Sequence, residues 1–172
     1  MAGTQRLAAG AVPRQFIFDV DGVFTTGQFV YTADGKIAKV FGAHDGDGIK
    51  LVKRFIAVCA ISADHRGFPI TKKRIQDDMG IPLFLVNEHE RLAWLRQRFS
   101  LHECIYMGDG IFDARVFAHV GYSIAPANAF PVARERACFV TDADAGSGAV
   151  AEACLHVLAR FFKPFTLEDS SP

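Results

Sequence analysis

The chain has 172 residues, half of them hydrophobic, with 19 basic and 19 acidic side chains. This size and apolar content indicate one domain with a buried core and argue against intrinsic disorder. The balanced charge argues against a nucleic-acid partner, and because no apolar run approaches the ~20 residues that span a bilayer, we expect no membrane partner.

The predicted elements begin with a short apolar strand at residues 16–18, which ends in Asp19-Val20-Asp21-Gly22. Residues 28–41 are predicted to form a β-hairpin around an Asp-Gly turn, inserted where a first helix would otherwise begin. A polar loop with three glycines, residues 41–48, then precedes a helix at 49–55. Later strands are predicted at 56–62, 83–86, 104–107, 122–124 and 138–140, and helices at 69–79, 88–99, 112–119, 131–136 and 149–162.

Strands that alternate with helices predict parallel βαβ units. We therefore expect an α/β fold: a doubly wound, three-layer, Rossmann-like parallel sheet with a β-hairpin insertion. No connection in the sequence is long enough to hold a cap domain.

The ends of the chain and its cysteines complete the organisation. Residues 1–13 lack the apolar segment of a secretory signal and are predicted to be frayed, 14–162 to form the domain, and 163–172 to be a mobile tail. The four cysteines include no Cys-x-x-Cys pair, so we expect free thiols in a cytoplasmic protein.

Polar side chains follow several of the predicted strands, where an open parallel sheet binds its ligands. They are Asp19, Asp21, Ser62, Arg91, Asp109 and Asp113. Asp19-x-Asp21-Gly22 taken alone is equally typical of a turn that closes a strand. The polar residues at the other strand ends favour a shared site. Four carboxylates in one crevice repel one another unless a divalent cation is bound, so such a site is expected to hold a cation.

All-oxygen ligands are the preference of Mg²⁺, and a hydroxyl and a guanidinium suit the oxygens of a phosphate group. The inventory therefore indicates phosphoryl transfer through an aspartate. Four motifs, in this order along the chain, resemble those of the haloacid dehalogenase superfamily of phosphatases. They are Asp19-x-Asp21-Gly22-Val23, Ser62, Arg91 and Gly108-Asp109-x-x-x-Asp113. The resemblance extends over residues 16–158 and is strongest to the capless 3-deoxy-D-manno-octulosonate 8-phosphate phosphatases and their relatives that act on nine-carbon sugar acid phosphates.

The resemblance implies a role for each acidic residue. Asp19 would be the nucleophile that forms an aspartyl-phosphate, and it would also bind Mg²⁺. Asp21 would be the general acid and base, with its backbone carbonyl on the metal. Asp109 would be a further metal ligand, and Asp113 would orient the metal ligands.

The resemblance also implies the substrate and the assembly. Ser62 and Arg91 would bind the phosphoryl group of a phosphorylated sugar acid, in lipopolysaccharide or sialic acid-type biosynthesis. Capless members of this subgroup are cytoplasmic homotetramers in which hairpins pack centrally, and the hairpin at residues 28–41 fits that arrangement.

Three positions depart from the octulosonate enzymes of that subgroup. Ser62-Ala63-Asp64 stands where those enzymes have Thr-Gly-Arg, Arg91 stands where they have Lys, and residues 145–151 lack two further arginines. Lys36, His44 or Arg66 could replace the lost charge, although a solvated side chain is the favoured interpretation of each. A nine-carbon acid or another sugar phosphate, a catalytically idle partner of a sugar-activating enzyme, and a response-regulator-like phosphoacceptor remain alternatives.

Overall fold

The computed structural model describes residue 7 and residues 11–170, with the side chains of 169 and 170 left aside. The strands are β1 (Gln15–Asp19), β2 (Thr25–Thr32), β3 (Gly35–Phe41), β4 (Ala57–Ser62), β5 (Leu83–Leu85), β6 (Cys104–Met107), β7 (Tyr122–Ala125) and β8 (Phe139–Val140). The helices are α1 (Asp45–Val52), α2 (Phe68–Lys72), α3 (Arg91–Arg98), α4 (Ile111–Phe117), α5 (Pro131–Arg136) and α6 (Ala149–Phe161). A π-helical segment (Lys73–Asp78) continues α2, and short 3-10 helices lie at Leu101–Glu103 and Leu167–Ser170.

Six strands form the main sheet in the order β5-β4-β1-β6-β7-β8, and every neighbouring pair is parallel. Side chains of β1 alternate between its two faces. Phe16 and Phe18 pack in the core on the side of α1 and α6, whereas Ile17 packs with residues of α3, α4 and α5 on the other side. Because both faces are covered, the predicted three-layer, doubly wound architecture is confirmed.

The predicted hairpin is also confirmed, as an antiparallel pair of β2 and β3 outside the main sheet. Its turn closes where Thr32 pairs with Gly35, whose φ of 120° favours glycine. The hairpin exposes large apolar side chains, each between 40% and 55% accessible: Phe29, Val30, Tyr31, Ile37 and Val40. The side chain of Lys39, in contrast, is buried.

Helix α1 begins earlier than expected, because residues 45–48 of the predicted glycine loop form its first turn. A Cβ on Gly48 would lie 2.6 Å from the Cα of Ala151 in α6. Gly48 therefore lets α1 and α6 pack closely, and the Asp45 carboxylate accepts a hydrogen bond from the Ala151 amide (3.3 Å). Helix α3 begins at Arg91 and not at residue 88, because residues 88–90 form a turn.

The four cysteines are free, as expected. Most of the N-terminal segment predicted to be frayed lies outside the described residues, and the mobility of the tail stays a prediction. In the part of the chain that is described, no helix has both the length and the apolar character needed to cross a bilayer. The connections between described elements leave no room for a cap domain.

Candidate active site

The site lies at the carboxyl ends of β1, β4 and β6, which are adjacent in the sheet. Asp19, the last residue of β1, is level with Ile61 of β4, and Phe18 is level with Met107 of β6. The residues that follow these strands therefore converge at one edge. They border a cleft of about 270 Å³, which is lined by Asp19, Asp21, Phe29, Lys36, Ala63, Asp64 and Arg91.

Asp19 lies at the closed end of this cleft, and its carboxylate is buried. Its Oδ1 is 2.9 Å from Nη2 of Arg91. Burial raises the pKa of Asp19 well above its usual range, the Arg91 guanidinium acts in the opposite direction, and the carboxylates of Asp113 and Asp109 raise the pKa further. A cation bound beside Asp19 would favour its ionised, nucleophilic form.

Arg91 is the first residue of α3, and its guanidinium is buried beside Asp19. Its Nη1 donates to the Tyr106 hydroxyl (3.2 Å) and to Oδ1 of Asp113. Nε of Arg91 is buried and has no hydrogen-bond partner among the described residues. Such a donor is costly to leave unpaired, and Arg91 is one of the residues that line the cleft.

Both oxygens of Asp113 are occupied by donors from the protein. Oδ1 accepts from Tyr106 (2.6 Å) and from Arg91, and Oδ2 accepts from the backbone amides of Asp109 (3.1 Å) and Gly110 (2.9 Å). The Asp113 carboxylate therefore fixes Arg91 and the turn that carries Asp109. Its geometry suits an orienting residue better than a direct metal ligand.

Asp109 packs directly against the backbone of Gly22. A Cβ on Gly22 would lie 2.1 Å from Oδ2 of Asp109, and Gly22 has a φ of 84°. Only glycine fits this close approach in this backbone conformation. Burial and the Asp113 carboxylate raise the pKa of Asp109 to about 7.

These carboxylates fit a divalent cation. Oxygens of Asp19, Asp109 and Asp113 all lie within 4.8 Å of one another. The donor set is entirely oxygen, which suits Mg²⁺. Since the Asp113 oxygens already accept protein hydrogen bonds, Asp19 and Asp109 are the side chains that would hold the ion.

Asp21 and Ser62 form a second group of contacts at this edge of the sheet. Ser62 Oγ donates to Oδ2 of Asp21 (3.1 Å) and accepts from the amide of Asp64 (3.2 Å). Lys39 Nζ also donates to Oδ2 of Asp21 (2.9 Å). The structure thus brings all six predicted side chains to one edge of the sheet. Asp19, Arg91, Asp109 and Asp113 form one group, and Asp21 and Ser62 form the other.

Asp64 points toward the hairpin, where it forms ion pairs with Lys36 and Lys39. Burial acts to raise the pKa of Asp64, but hydrogen bonds from the two lysines outweigh it and lower the pKa to about 2. The expectation that Lys36 is a solvated side chain was wrong, because its side chain is only 4% exposed. The ion pair with Asp64 holds the Lys36 ammonium group away from solvent.

Sequence reasoning missed three residues of the site: Phe29, Lys39 and Tyr106. A tyrosine in the otherwise apolar strand Cys104–Met107 signals a buried hydroxyl that needs a partner. Lys39 lies between Ala38 and Val40 on a strand, which is a weaker signal of a buried cation. Nothing in the sequence indicates that the Phe29 ring borders the cleft.

Several known proteins are similar in sequence to this chain. The sequence pattern of haloacid dehalogenase-like hydrolases matches residues 91–153. The chain is 31% identical over 152 residues to the 3-deoxy-D-manno-octulosonate 8-phosphate phosphatase of Yersinia pestis, which covers 82% of this chain and 77% of that protein. Its identity to the Haemophilus influenzae phosphatase of the same name is 36% over 142 residues, with 79% and 77% covered. The chain belongs to the haloacid dehalogenase-like hydrolases.

Solved structures agree with this membership. A probable YrbI family phosphatase from Pseudomonas syringae superposes with a TM-score of 0.78 and 32% identity, covering 90% of this chain and 89% of that one. The cobalt-bound octulosonate 8-phosphate phosphatase from Haemophilus influenzae superposes with a TM-score of 0.75 and 32% identity, covering 88% and 90%. This haloacid dehalogenase-like hydrolase is therefore a phosphatase of the capless type, with an acidic cluster that suits a divalent metal.

Proposed function

We propose that this hydrolase is a Mg²⁺-dependent phosphomonoesterase that releases phosphate from a phosphorylated sugar acid of the 3-deoxy-D-manno-octulosonate 8-phosphate type. The observation that carries the proposal is the Asp19 carboxylate, buried at the end of β1 between Arg91 and the Asp109–Asp113 cluster. The similarity to the octulosonate 8-phosphate phosphatases of Yersinia pestis and Haemophilus influenzae supports this sugar acid as the substrate.

The reaction would begin with attack of an Asp19 carboxylate oxygen on phosphorus. The bond from phosphorus to the sugar oxygen breaks, and Asp21 gives its proton to that oxygen. In the second half, Asp21 takes a proton from water, the water oxygen attacks phosphorus, and the bond to Asp19 breaks. Inorganic phosphate leaves, and Asp19 and Asp21 return to their starting states.

Other residues would stabilise the charge that the phosphoryl group carries. Arg91 offers its unpartnered Nε–H, and the Ser62 hydroxyl can turn from Asp21 toward a phosphate oxygen. The side chains of Asp19 and Asp109 and the carbonyl of Asp21 would hold Mg²⁺. When bound, the ion supplies positive charge that offsets the crowded carboxylates and polarises the phosphate.

Another sugar phosphate is a second candidate substrate, and the ion pairs around Asp64 favour it. Lys36 and Lys39 are both paired with Asp64, so neither presents an uncompensated charge to a substrate carboxylate. A neutral sugar phosphate is therefore assayed beside the eight- and nine-carbon sugar acids.

Phosphate release from a panel of phosphorylated sugars and sugar acids tests the proposal. The panel contains eight- and nine-carbon acids and neutral sugars, assayed with Mg²⁺ and with EDTA. We expect turnover that requires Mg²⁺ and that Asp19→Asn abolishes, with the circular dichroism spectrum of the variant unchanged. Turnover in EDTA, or turnover retained by Asp19→Asn, would contradict the mechanism, and no turnover of any compound would favour a catalytically idle partner.

A further inference from the structure

Lys39 is a buried lysine of the hairpin that the chemistry above does not use. Its side chain is 0% exposed. Nζ lies 2.9 Å from Oδ2 of Asp21, 2.7 Å from Oδ2 of Asp64 and 2.8 Å from Oγ1 of Thr71. An ammonium group has three N–H donors, and this one is surrounded by the Asp21 and Asp64 carboxylates and the Thr71 hydroxyl. Lys39 therefore has no donor left for a substrate, and its contacts are with the protein.

The two oxygens of Asp21 differ in their surroundings. Oδ2 accepts hydrogen bonds from Lys39 and Ser62. Oδ1 is 2.7 Å from Lys39 Nζ, but it accepts no well-directed hydrogen bond within the described residues, although it is buried. Lys39 is therefore close to both oxygens of Asp21, whereas Ser62 contacts one of them.

Ser62 cannot hold Asp21 throughout the proposed reaction. Its single hydroxyl proton goes either to Asp21 or to a phosphate oxygen. Once phosphate takes that proton, Lys39 is the donor that remains on Oδ2 of Asp21. The hairpin would then control the orientation of the residue that gives and takes the proton.

We propose that Lys39 is a positioning residue that holds the Asp21 carboxylate, so that this carboxylate stays directed at the oxygen of the leaving group and later at the attacking water. This inference rests on the proposed function, since it requires Asp21 to act as acid and base. It adds a residue from outside the main sheet to the catalytic apparatus.

Leaving groups that differ in basicity separate this role from a general effect on binding. A sugar alkoxide needs a proton as its bond to phosphorus breaks, whereas p-nitrophenolate leaves without one. Both compounds need a base for the second half of the reaction, in which water attacks the phosphoryl-Asp19 group. Loss of Asp21 positioning should therefore impair both halves with a sugar phosphate but only the second half with p-nitrophenyl phosphate.

The experiment uses Lys39→Met in rapid-mixing assays with Mg²⁺ and two substrates. The substrates are p-nitrophenyl phosphate and the best sugar phosphate of the panel. We expect p-nitrophenolate to appear in a fast burst of one equivalent per subunit, followed by a steady state roughly 100-fold slower than that of the unmodified protein. With the sugar phosphate, we expect no burst and a loss of similar size in kcat. Asp21→Asn should give the same pattern.

Lys36→Met is the matched control, because Lys36 also pairs with Asp64 from β3 but has no recorded contact with Asp21. It should change KM and leave the ratio of burst to steady-state rate as in the unmodified protein. Lys39→Arg keeps the charge and the donors and should restore part of the steady-state rate, which provides a test if Lys39→Met does not fold.

Two results would overturn the inference. One is a first turnover of p-nitrophenyl phosphate in Lys39→Met that is slowed as much as that of the sugar phosphate. The other is unchanged turnover of both compounds. If the unmodified protein is active and requires Asp19, either result for Lys39→Met overturns the role of Lys39 and leaves the proposed function standing. If the unmodified protein is inactive, the proposed function itself is wrong.

Discussion

Arg91 joins the two carboxylates that matter most for the site. It contacts Asp19 with one terminal nitrogen and Asp113 and Tyr106 with the other. Removing one member of such a buried, charged network leaves its partners unsatisfied, which is more costly than losing an exposed ion pair. The network therefore stabilises the fold while it positions the cation beside the nucleophile.

Tyr106→Phe tests this network through stability. The substitution removes a hydroxyl that donates to a carboxylate, so we expect a loss of about 2 kcal/mol in the free energy of unfolding. That loss corresponds to a fall in Tm of roughly 4–8 °C for a chain of this size. Thermal denaturation checks it. Tyr122→Phe is the comparison, because that hydroxyl meets the neutral His156 ring (2.9 Å) and should cost less; an equal loss in both variants would contradict the argument.

Gly22→Ala tests the packing of Asp109. The new Cβ would overlap Oδ2 of Asp109, so the carboxylate must move and the affinity for Mg²⁺ should fall at least tenfold. Isothermal titration with Mg²⁺ measures that affinity without any substrate. A residue other than glycine at positive φ also costs about 1–2 kcal/mol of stability.

Gly35→Ala is the control for this backbone cost. Gly35 has a φ of 120°, but nothing lies within 4 Å of a Cβ built there. Gly35→Ala should therefore show the stability cost of the backbone conformation alone, and only Gly22→Ala should show weakened Mg²⁺ binding. Normal Mg²⁺ affinity in Gly22→Ala would show that Asp109 does not hold the ion.

Sequence reasoning found the acidic residues because each follows an apolar strand, and the ends of parallel strands must converge. It found Arg91 because the first turn of the next helix lies at the same edge. It could not find Lys39, since the hairpin packs over the site through contacts that no local pattern specifies. The pairing of Lys36 with Asp64 likewise depends on tertiary structure.

At the scale of elements, strand β3 of the hairpin exposes apolar side chains and buries a charged one, which is the opposite of the usual arrangement on a surface strand. Ile37 and Val40 of β3 are exposed, whereas Lys39 is buried among carboxylates. The sequence correctly predicted the hairpin and its turn, because an Asp-Gly pair between β-favouring residues is a local signal. Lys39 points inward because the Asp21 and Asp64 carboxylates beneath the hairpin attract its ammonium group.

The last helix contributes a titrating group that makes stability depend on pH. His156 of α6 stacks on Phe139 of β8 with 3.7 Å between ring centroids, and its Nε2 meets the Tyr122 hydroxyl of β7. Burial lowers the pKa of His156, Arg160 lowers it further, and Glu152 opposes them. The folded protein therefore resists protonation of this ring.

We expect this effect to destabilise the fold below pH ~6.5, the ordinary pKa of histidine. The unfolded chain binds the proton more readily there, so the contribution of His156 is complete above that pH and declines as the pH falls toward the lowered pKa of the folded state. Urea denaturation at pH 8 and pH 5.5 measures it. His156→Gln should show a smaller difference between the two pH values than the unmodified protein, and an equal difference would refute the assignment.

At the scale of the whole molecule, the sequence predicted the layers and the sheet class from the alternation of strands and helices. The homotetramer stays a prediction. The exposed apolar side chains of the hairpin support it, because exposed apolar surface is typical of an interface. Helix boundaries were less predictable, since α1 gains a turn that includes Gly48, which lies against α6.

Ile37→Asp tests the assembly. Ile37 is 55% exposed, so the charge should not disturb the core of one chain but should disfavour contact between apolar hairpins. Light scattering after size exclusion should report a mass that falls from that of four chains to that of one. Leu155→Asp changes an exposed apolar residue of α6 and should keep the larger mass. A single-chain mass for the unmodified protein would contradict the prediction.

The inward lysine and the outward aliphatic side chains lie on the same short strand, β3. If neighbouring chains brace that strand, the position of Asp21 depends on quaternary structure through Lys39. Turnover per subunit would then fall as the enzyme is diluted below the dissociation constant of the assembly. A plot of rate against enzyme concentration would curve upward, and an inhibitor that separates the hairpins would slow the reaction without entering the cleft.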